Sequence, residues 1–376
     1  MSNPLKDLHA LGQSVWLDYI RRDLFDGELD RLIAEDGLAG MTSNPTIFEK
    51  AISDTDLYDD VIRDAGRDVE PDALFERLAV ADVRRAADHF RPLFDESRGR
   101  DGFVSIEVRP SLAYDTRGTI EEVRRLWKSC DRPNVMVKIP GTSEGLPAIR
   151  QCLAEGININ ITLLFSVDRY REVMDAWAQA YRQRVDEGKS IDRLASVASF
   201  FVSRVDIMVD ERLDQLAERA SDEDGEKIAR LKGKMGIANA RIAYEAFEKR
   251  LLEDDSSFAA LEEAGARAQR PLWASTSTKN PNYPDVYYVE ALIAPETVNT
   301  LPPDTLEAYR DHGDPEVRIY EDLDDAHAMI EDLAELGIDL TDVTDALERE
   351  GVEKFARSYD ELIEAIRAEQ RAVQPA

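Results

Sequence analysis

The 376-residue chain carries 77 acidic against 47 basic residues, a formal net charge of −30, and a field of that sign repels the phosphates of nucleic acid. A hydrophobic content of 43% suffices for a large core. Even so, no run of about 18 apolar residues occurs, and the start Met1-Ser-Asn-Pro-Leu-Lys6 has no apolar stretch, which argues against a membrane span and a signal peptide. Cys130 and Cys152 lack CxxC spacing, and His9, His89, His312 and His327 form no HExxH pattern, so no metal is expected. The expected protein is cytoplasmic and binds neither nucleic acid nor membrane. Acidic runs such as Ser221–Glu226 and Glu321–Asp325 are expected to be solvated faces. With lysines scarce relative to arginines, they suggest adaptation to a salty cytoplasm.

In chain order, apolar runs of β character alternate with amphipathic helical ones, the pattern of βα units around a parallel sheet. The predicted strands are Ser14–Tyr19, Gly37–Ser43, Phe103–Arg109, Asn134–Ile139, Ile157–Leu164, Leu194–Val202, Pro271–Ser277 and Asp285–Ala294. Between them run helical stretches with acids early and bases late, which complements the helix dipole. Examples are Thr119–Cys130, Ser143–Ala154, Ser166–Val185 with Asp168 near its start, and a long Asp206–Leu252 region broken around Asp222–Gly225. Eight such repeats predict an α/β fold, a single (β/α)8 TIM barrel spanning residues 1–376 as one domain. Added helices are expected at residues 1–12 and over Leu323–Val373, where Leu323, Ile330, Leu333 and Leu336 recur at helical spacing. The second of these is expected to pack on the barrel, and the tail Gln370–Ala376 to fray.

In such a barrel the chemistry sits at the C-terminal ends of the strands. Polar residues recur there from the first strand to the seventh: Asp18, then Thr42-Ser-Asn44, Glu107, Lys138, then Asn158, Asn160 and Thr162, then Ser199 and Arg204, then Ser275, Ser277 and Lys279. Each alone has a plain structural explanation, such as a turn, a cap or a solvent-facing head. Together they do not, because a packed barrel interior favours bulky apolar layers and each unpaired polar group buried there costs roughly 1–3 kcal/mol. Lys138 stands out. It interrupts the apolar run Val135-Met-Val-Lys-Ile139 just before Pro140, and lysine is rarely buried without a partner or a task. Desolvation disfavours a charged amine and so favours its use as a nucleophile, which a Schiff-base enzyme requires.

At these residues the sequence resembles the transaldolases. The blocks that carry the likeness are Met41-Thr-Ser-Asn-Pro-Thr-Ile-Phe48, Val104-Ser-Ile-Glu-Val108 with Leu112-Ala-Tyr-Asp115, Val135-Met-Val-Lys-Ile-Pro-Gly-Thr142, Ile157-Asn-Ile-Asn-Ile-Thr-Leu-Leu-Phe-Ser166 and Ala198-Ser-Phe-Phe-Val-Ser-Arg-Val-Asp206. The length and the Ala274-Ser-Thr-Ser-Thr-Lys279 block are similar to the longer bacterial subfamily. The resemblance implies a metal-free and cofactor-free transfer of a dihydroxyacetone unit in the non-oxidative pentose phosphate pathway. Donors would be sedoheptulose 7-phosphate or fructose 6-phosphate, and acceptors glyceraldehyde 3-phosphate or erythrose 4-phosphate.

It further implies that Lys138 forms the Schiff base, Asp18 is the general base, and Glu107 with Thr162 handles the exchanging water. Asn44, Asn160 and Ser199 would hydrogen-bond the lysine or the donor hydroxyls, while Arg204 and Lys279 would meet the phosphate. Lys279 departs from the arginine of shorter members and offers a point charge instead of a bidentate fork. The C-terminal helix would fold over the barrel mouth through Phe355-Ala-Arg-Ser-Tyr359; packing outside the barrel alone is the alternative. Partners beyond sugar phosphates are limited to a second copy, as monomer or homodimer. Rival readings are a fructose 6-phosphate aldolase-like lyase on the same scaffold, from which Glu107 argues away, a glycoside hydrolase using Asp18 and Glu107, and a sugar-phosphate binder without catalysis.

Overall fold

The structure, a computed structural model, describes residues 3–65, 69–253 and 258–372. Among them, eight parallel strands close into one barrel in sequence order. They are β1 (Gln13–Asp18), β2 (Gly40–Thr42), β3 (Phe103–Glu107), β4 (Val135–Pro140), β5 (Ile159–Leu164), β6 (Ser196–Phe201), β7 (Arg270–Ala274) and β8 (Thr297–Leu301). Closure is direct: Trp16 lies opposite Gly40 on one side and Thr300 on the other.

Side chains alternate across a strand, and the barrel sorts them into two buried clusters. Trp16, Phe103, Met136, Val197, Leu272 and Val298 fill the interior. Val15, Val104, Val137, Ile159, Ala198 and Trp273 face outward and pack with helix residues such as Leu78, Val123, Ile149 and Trp177. The larger aliphatic side chains among them each contribute about 1.5–3 kcal/mol on burial. The interior is filled closely enough to dictate sequence. A Cβ at Gly40 would lie 2.5 Å from the Trp16 indole, so only glycine fits there.

The N-terminal end of the barrel is sealed by a buried ionic knot. Arg270 lies 3.0 Å from the Asp101 carboxylate and donates to Ser14 Oγ at 2.8 Å, while Ser14 Oγ donates to Asp101 at 2.7 Å. These partners hold the Asp101 carboxyl well below the usual range against the opposing effect of burial.

Several predicted elements move. The eighth strand is Thr297–Leu301; the stretch Asp285–Ala294 contains instead the helix Tyr287–Ala291. A short apolar run that is buried throughout reads alike as strand or helix. The second strand starts only at Gly40, because Gly37, at φ 70°, caps the preceding helix. The seventh ends at Ala274, where Ser275 turns to φ 56°. The Asp206–Leu252 region resolves into helices Ser203–Ala217, Asp222–Leu231 and Met235–Phe247 followed by a π turn, Glu248–Leu252. Its first break precedes Asp222, and Asp222–Gly225 opens a helix capped by Ser221, where the acids suit the dipole.

Helices Pro4–Ala10, Leu323–Glu335 and Leu340–Ala372 account for the predicted additions. Residues 1, 2 and 373–376, parts of the predicted prelude, coda and tail, lie outside the described residues. Among the described residues no helix is long and apolar enough to cross a membrane, and no group of His, Cys, Asp or Glu is arranged to hold a metal ion.

The helix Leu340–Ala372 lies over the C-terminal face of the barrel. It touches β5, the turn Pro110–Leu112 after β3, and the helices that follow β2 and β6. Thr46 Oγ1 donates to Ser358 Oγ at 2.8 Å, and Tyr359 donates to Asp72 at 2.9 Å.

Candidate active site

Every residue of β4 is buried, and Lys138 is one of them. Parallel pairing sets Glu107, Lys138 and Asn160 side by side on three successive strands, so all three point into the barrel. The Lys138 Nζ lies 3.1 Å from Glu107 Oε2, with the two side chains only 6% and 5% exposed. It also donates to the Ser43 carbonyl at 3.2 Å. A buried ammonium needs such company, since removing one partner of a buried pair costs about 3–5 kcal/mol. Burial pushes the Glu107 carboxyl above its usual range; the Lys138 charge opposes this and the Asp18 charge adds to it. A carboxyl raised in this way and in contact with an amine is well placed to exchange a proton with it.

Asp18, at the end of β1, is half-buried, whereas the five residues before it on the strand are buried. Burial raises its carboxyl, while Lys138, the Thr42 hydroxyl, Arg204 and Lys279 pull it down. Thr42 Oγ1 donates to Asp18 at 2.7 Å and lies 2.7 Å from Thr300 Oγ1. Thr162 is fully buried on β5. Its Oγ1 has no hydrogen-bond partner among the described residues, and neither has Glu107 Oε2, whose contact with Lys138 is ionic without hydrogen-bond alignment.

Asn160 and Ser199 form one buried chain: Ser199 Oγ donates to Asn160 Oδ1 at 2.7 Å, and Asn160 Nδ2 donates to Ser105 Oγ at 3.0 Å. Asn44 caps the helix Pro45–Ser53, its Oδ1 accepting from Ile47 N at 3.1 Å, a bond that leaves its NH2 group unused. Arg204 opens the helix Ser203–Ala217, where the dipole disfavours a cation. It stacks 5.3 Å over the Phe201 ring and is held below its usual range by burial, with Asp18 opposing. Lys279 sits exposed in the loop after β7, its Nζ donating to Ser277 Oγ at 2.6 Å. The fold therefore gathers eight of the nine predicted residues at one end of the barrel wall, with Lys279 on its rim.

Beside Glu107 a cavity of about 300 Å³ runs outward, lined among others by Ser43, Asn44, Phe48, Arg109 and Tyr359. Residues 15–366 match the family described as "Transaldolase/Fructose-6-phosphate aldolase". The chain belongs to that family. It is 50% identical over 371 residues to "Transaldolase" of Acidothermus cellulolyticus, covering 97% of this chain and 96% of that protein. It is 48% identical to "Transaldolase" of Mycobacterium tuberculosis over 370 residues, 97% of each. To "Transaldolase 2" of Nostoc sp. it is 45% identical over 379 residues, 99% of each.

In this transaldolase/fructose-6-phosphate aldolase family member, four polar residues at the site have no role that the sequence assigns. Ser105 lies two residues before Glu107 on the same inward face, a signal that strand alternation carries. Thr42 and Ser43 belong to the polar end of the second strand, where Asn44 alone has a role that the resemblance implies. Thr300 is out of reach because the sequence pattern puts the eighth strand at Asp285–Ala294, ahead of the actual Thr297–Leu301. One more signal is conformational. Leu163 adopts φ 58° at a register shift in β5, and strained non-glycine residues of this kind cluster at functional sites.

Proposed function

We propose that the protein is a transaldolase, moving a dihydroxyacetone unit from sedoheptulose 7-phosphate or fructose 6-phosphate to glyceraldehyde 3-phosphate or erythrose 4-phosphate in the non-oxidative pentose phosphate pathway. The observation that carries this reading is the buried Lys138 amine, 3.1 Å from Glu107 inside the mouth of a closed barrel. Lys138 passes a proton to Glu107 and adds to the donor ketone. The carbinolamine then loses water with Glu107 as acid, giving an iminium. Asp18 takes the C4 hydroxyl proton, the C3–C4 bond breaks, and its electron pair flows into the iminium as an enamine. The aldose leaves. The acceptor aldehyde then forms the new bond, Asp18 returns its proton to the product alkoxide, and water releases the new ketose.

Glu107 Oε2 and Thr162 Oγ1, buried and without hydrogen-bond partners among the described residues, are suited to hold that water. Asn44, Asn160 and Ser199 bind donor hydroxyls without adding charge, and Arg204 with Lys279 receives the phosphate. No metal or cofactor enters any step. The reading extends to one cytoplasmic domain over residues 1–376, with 323–373 as its helical extension, acting as monomer or homodimer.

Borohydride reduction in the presence of fructose 6-phosphate, followed by peptide mapping, tests it. A covalent adduct at Lys138 is expected, and an unchanged mass would rule the Schiff base out. Release of free dihydroxyacetone from fructose 6-phosphate without an acceptor would reassign the enzyme as a lyase.

A further inference from the structure

The C-terminal helix brings charge as well as cover to the barrel mouth. A Cβ at Gly351 would lie 2.9 Å from Leu163 Cδ2 and 3.8 Å from Arg204 Nη1, so the helix passes directly over both. Gly351, Lys354 and Ser358 follow at i, i+3 and i+7 and share one helical face. At the far end of that face Ser358 meets Thr46 of the helix Pro45–Ser53. Lys50 lies one turn beyond Thr46 on the same side of its helix, and its charge reaches Lys354.

The electrostatics agree with this placement. The Lys354 amine is held below its usual value by Arg204 first, then by burial, Lys279, Lys50 and Arg357. Lys279 is lowered by burial, Arg204 and Lys50, with Asp18 opposing. None of Lys50, Arg204, Lys279, Lys354 and Arg357 forms an ion pair with a carboxylate among the described residues, in a chain where acids outnumber bases 77 to 47. Mutually repelling cations left unpaired in so acidic a protein point to an anion that supplies the missing charge.

A sugar phosphate monoester is satisfied by two cations, and Arg204 and Lys279, which also act on Asp18, stand nearest the chemistry. Lys50, Lys354 and Arg357 exceed that need. We propose that these three form an outer phosphate-binding station in series with Arg204 and Lys279, which draws phosphorylated substrates against the protein's field and selects them over unphosphorylated ones. Its substrate class rests on the transaldolase reading; its affinity for phosphate does not.

Two measurements test it. Turnover with glyceraldehyde 3-phosphate and with glyceraldehyde as acceptors is compared in wild-type enzyme and in Lys354→Ala/Arg357→Ala. The variant is expected to lose about tenfold in kcat/KM with the phosphorylated acceptor, through KM, and to stay within about twofold with the other. Equal losses with both acceptors would overturn the proposal. Lys354→Arg, which keeps the charge, should restore most of the difference. Inorganic phosphate titrated calorimetrically into wild type, Lys50→Ala and the double variant should bind progressively more weakly, and equal affinities would also overturn it. If wild type binds phosphate in this charge-dependent way yet transfers no dihydroxyacetone unit, the outer station stands and the transaldolase reading falls.

Discussion

At the scale of single residues, the site is governed by how two carboxyls are held. Both Asp18 and Glu107 are raised by burial, but only Asp18 has a hydroxyl donating to it, from Thr42. That hydrogen bond stabilises the anion, so removing it favours the protonated acid and raises the Asp18 pKa further. In the proposed mechanism Asp18 has to be ionised to accept the C4 hydroxyl proton. Thr42→Val, nearly the same shape, should therefore move the acid limb of the kcat/KM profile to higher pH while leaving the alkaline limb in place. An unmoved acid limb would remove Asp18 from the role of base. The Thr42–Thr300 contact makes the same point about the wall: the base is positioned from β2 and β8, not from its own strand alone.

At the scale of elements, the strand ends that carry chemistry also hold helices in place. Asn44 is the clearest case, because its Oδ1 caps the helix Pro45–Ser53 and that bond leaves its NH2 donors unused. Asn44→Asp keeps the capping oxygen but loses the donors, so unfolding free energy should change by no more than about 0.5 kcal/mol while kcat/KM falls. Asn44→Ala should lose about 1 kcal/mol of stability as well, read by urea unfolding. Equal stability losses in the two variants would show that the cap is not what the side chain contributes.

The same duality explains what could be read from sequence. Lys138, Glu107 and Asn160 were legible because a charged or amide group inside an apolar strand has few explanations, and in-register pairing then brought them together. Strand β8 was not legible. Its residues Thr297-Val-Asn-Thr-Leu301 are half polar, while the neighbouring helix Tyr287–Ala291 lies in a more apolar stretch, so burial by tertiary packing outweighed local pattern. Lys50, Lys354 and Arg357 were invisible for a different reason. A surface cation gains meaning only from which other cations the fold sets beside it.

At the scale of the whole molecule, a charge of −30 stresses the folded state through self-repulsion, and screening relieves it. The melting temperature should rise from low salt to molar KCl, and a flat response would remove salt adaptation as an explanation of the acidic surface. The proposed phosphate-binding cations should weaken over the same range, with KM for sugar phosphates rising as screening shortens from about 10 Å at 0.1 M to about 3 Å at 1 M.

The pairing of β8 with β1 also bears on synthesis. The lysine and both acids occupy the first 138 positions, yet the wall that shelters them is finished only by residues 297–301. A growing polypeptide on the ribosome thus holds Lys138 early, while the sheet still has two open edges able to pair with other chains. Production of active enzyme then depends on keeping that unfinished curl of strands apart from its neighbours until the last of them emerges.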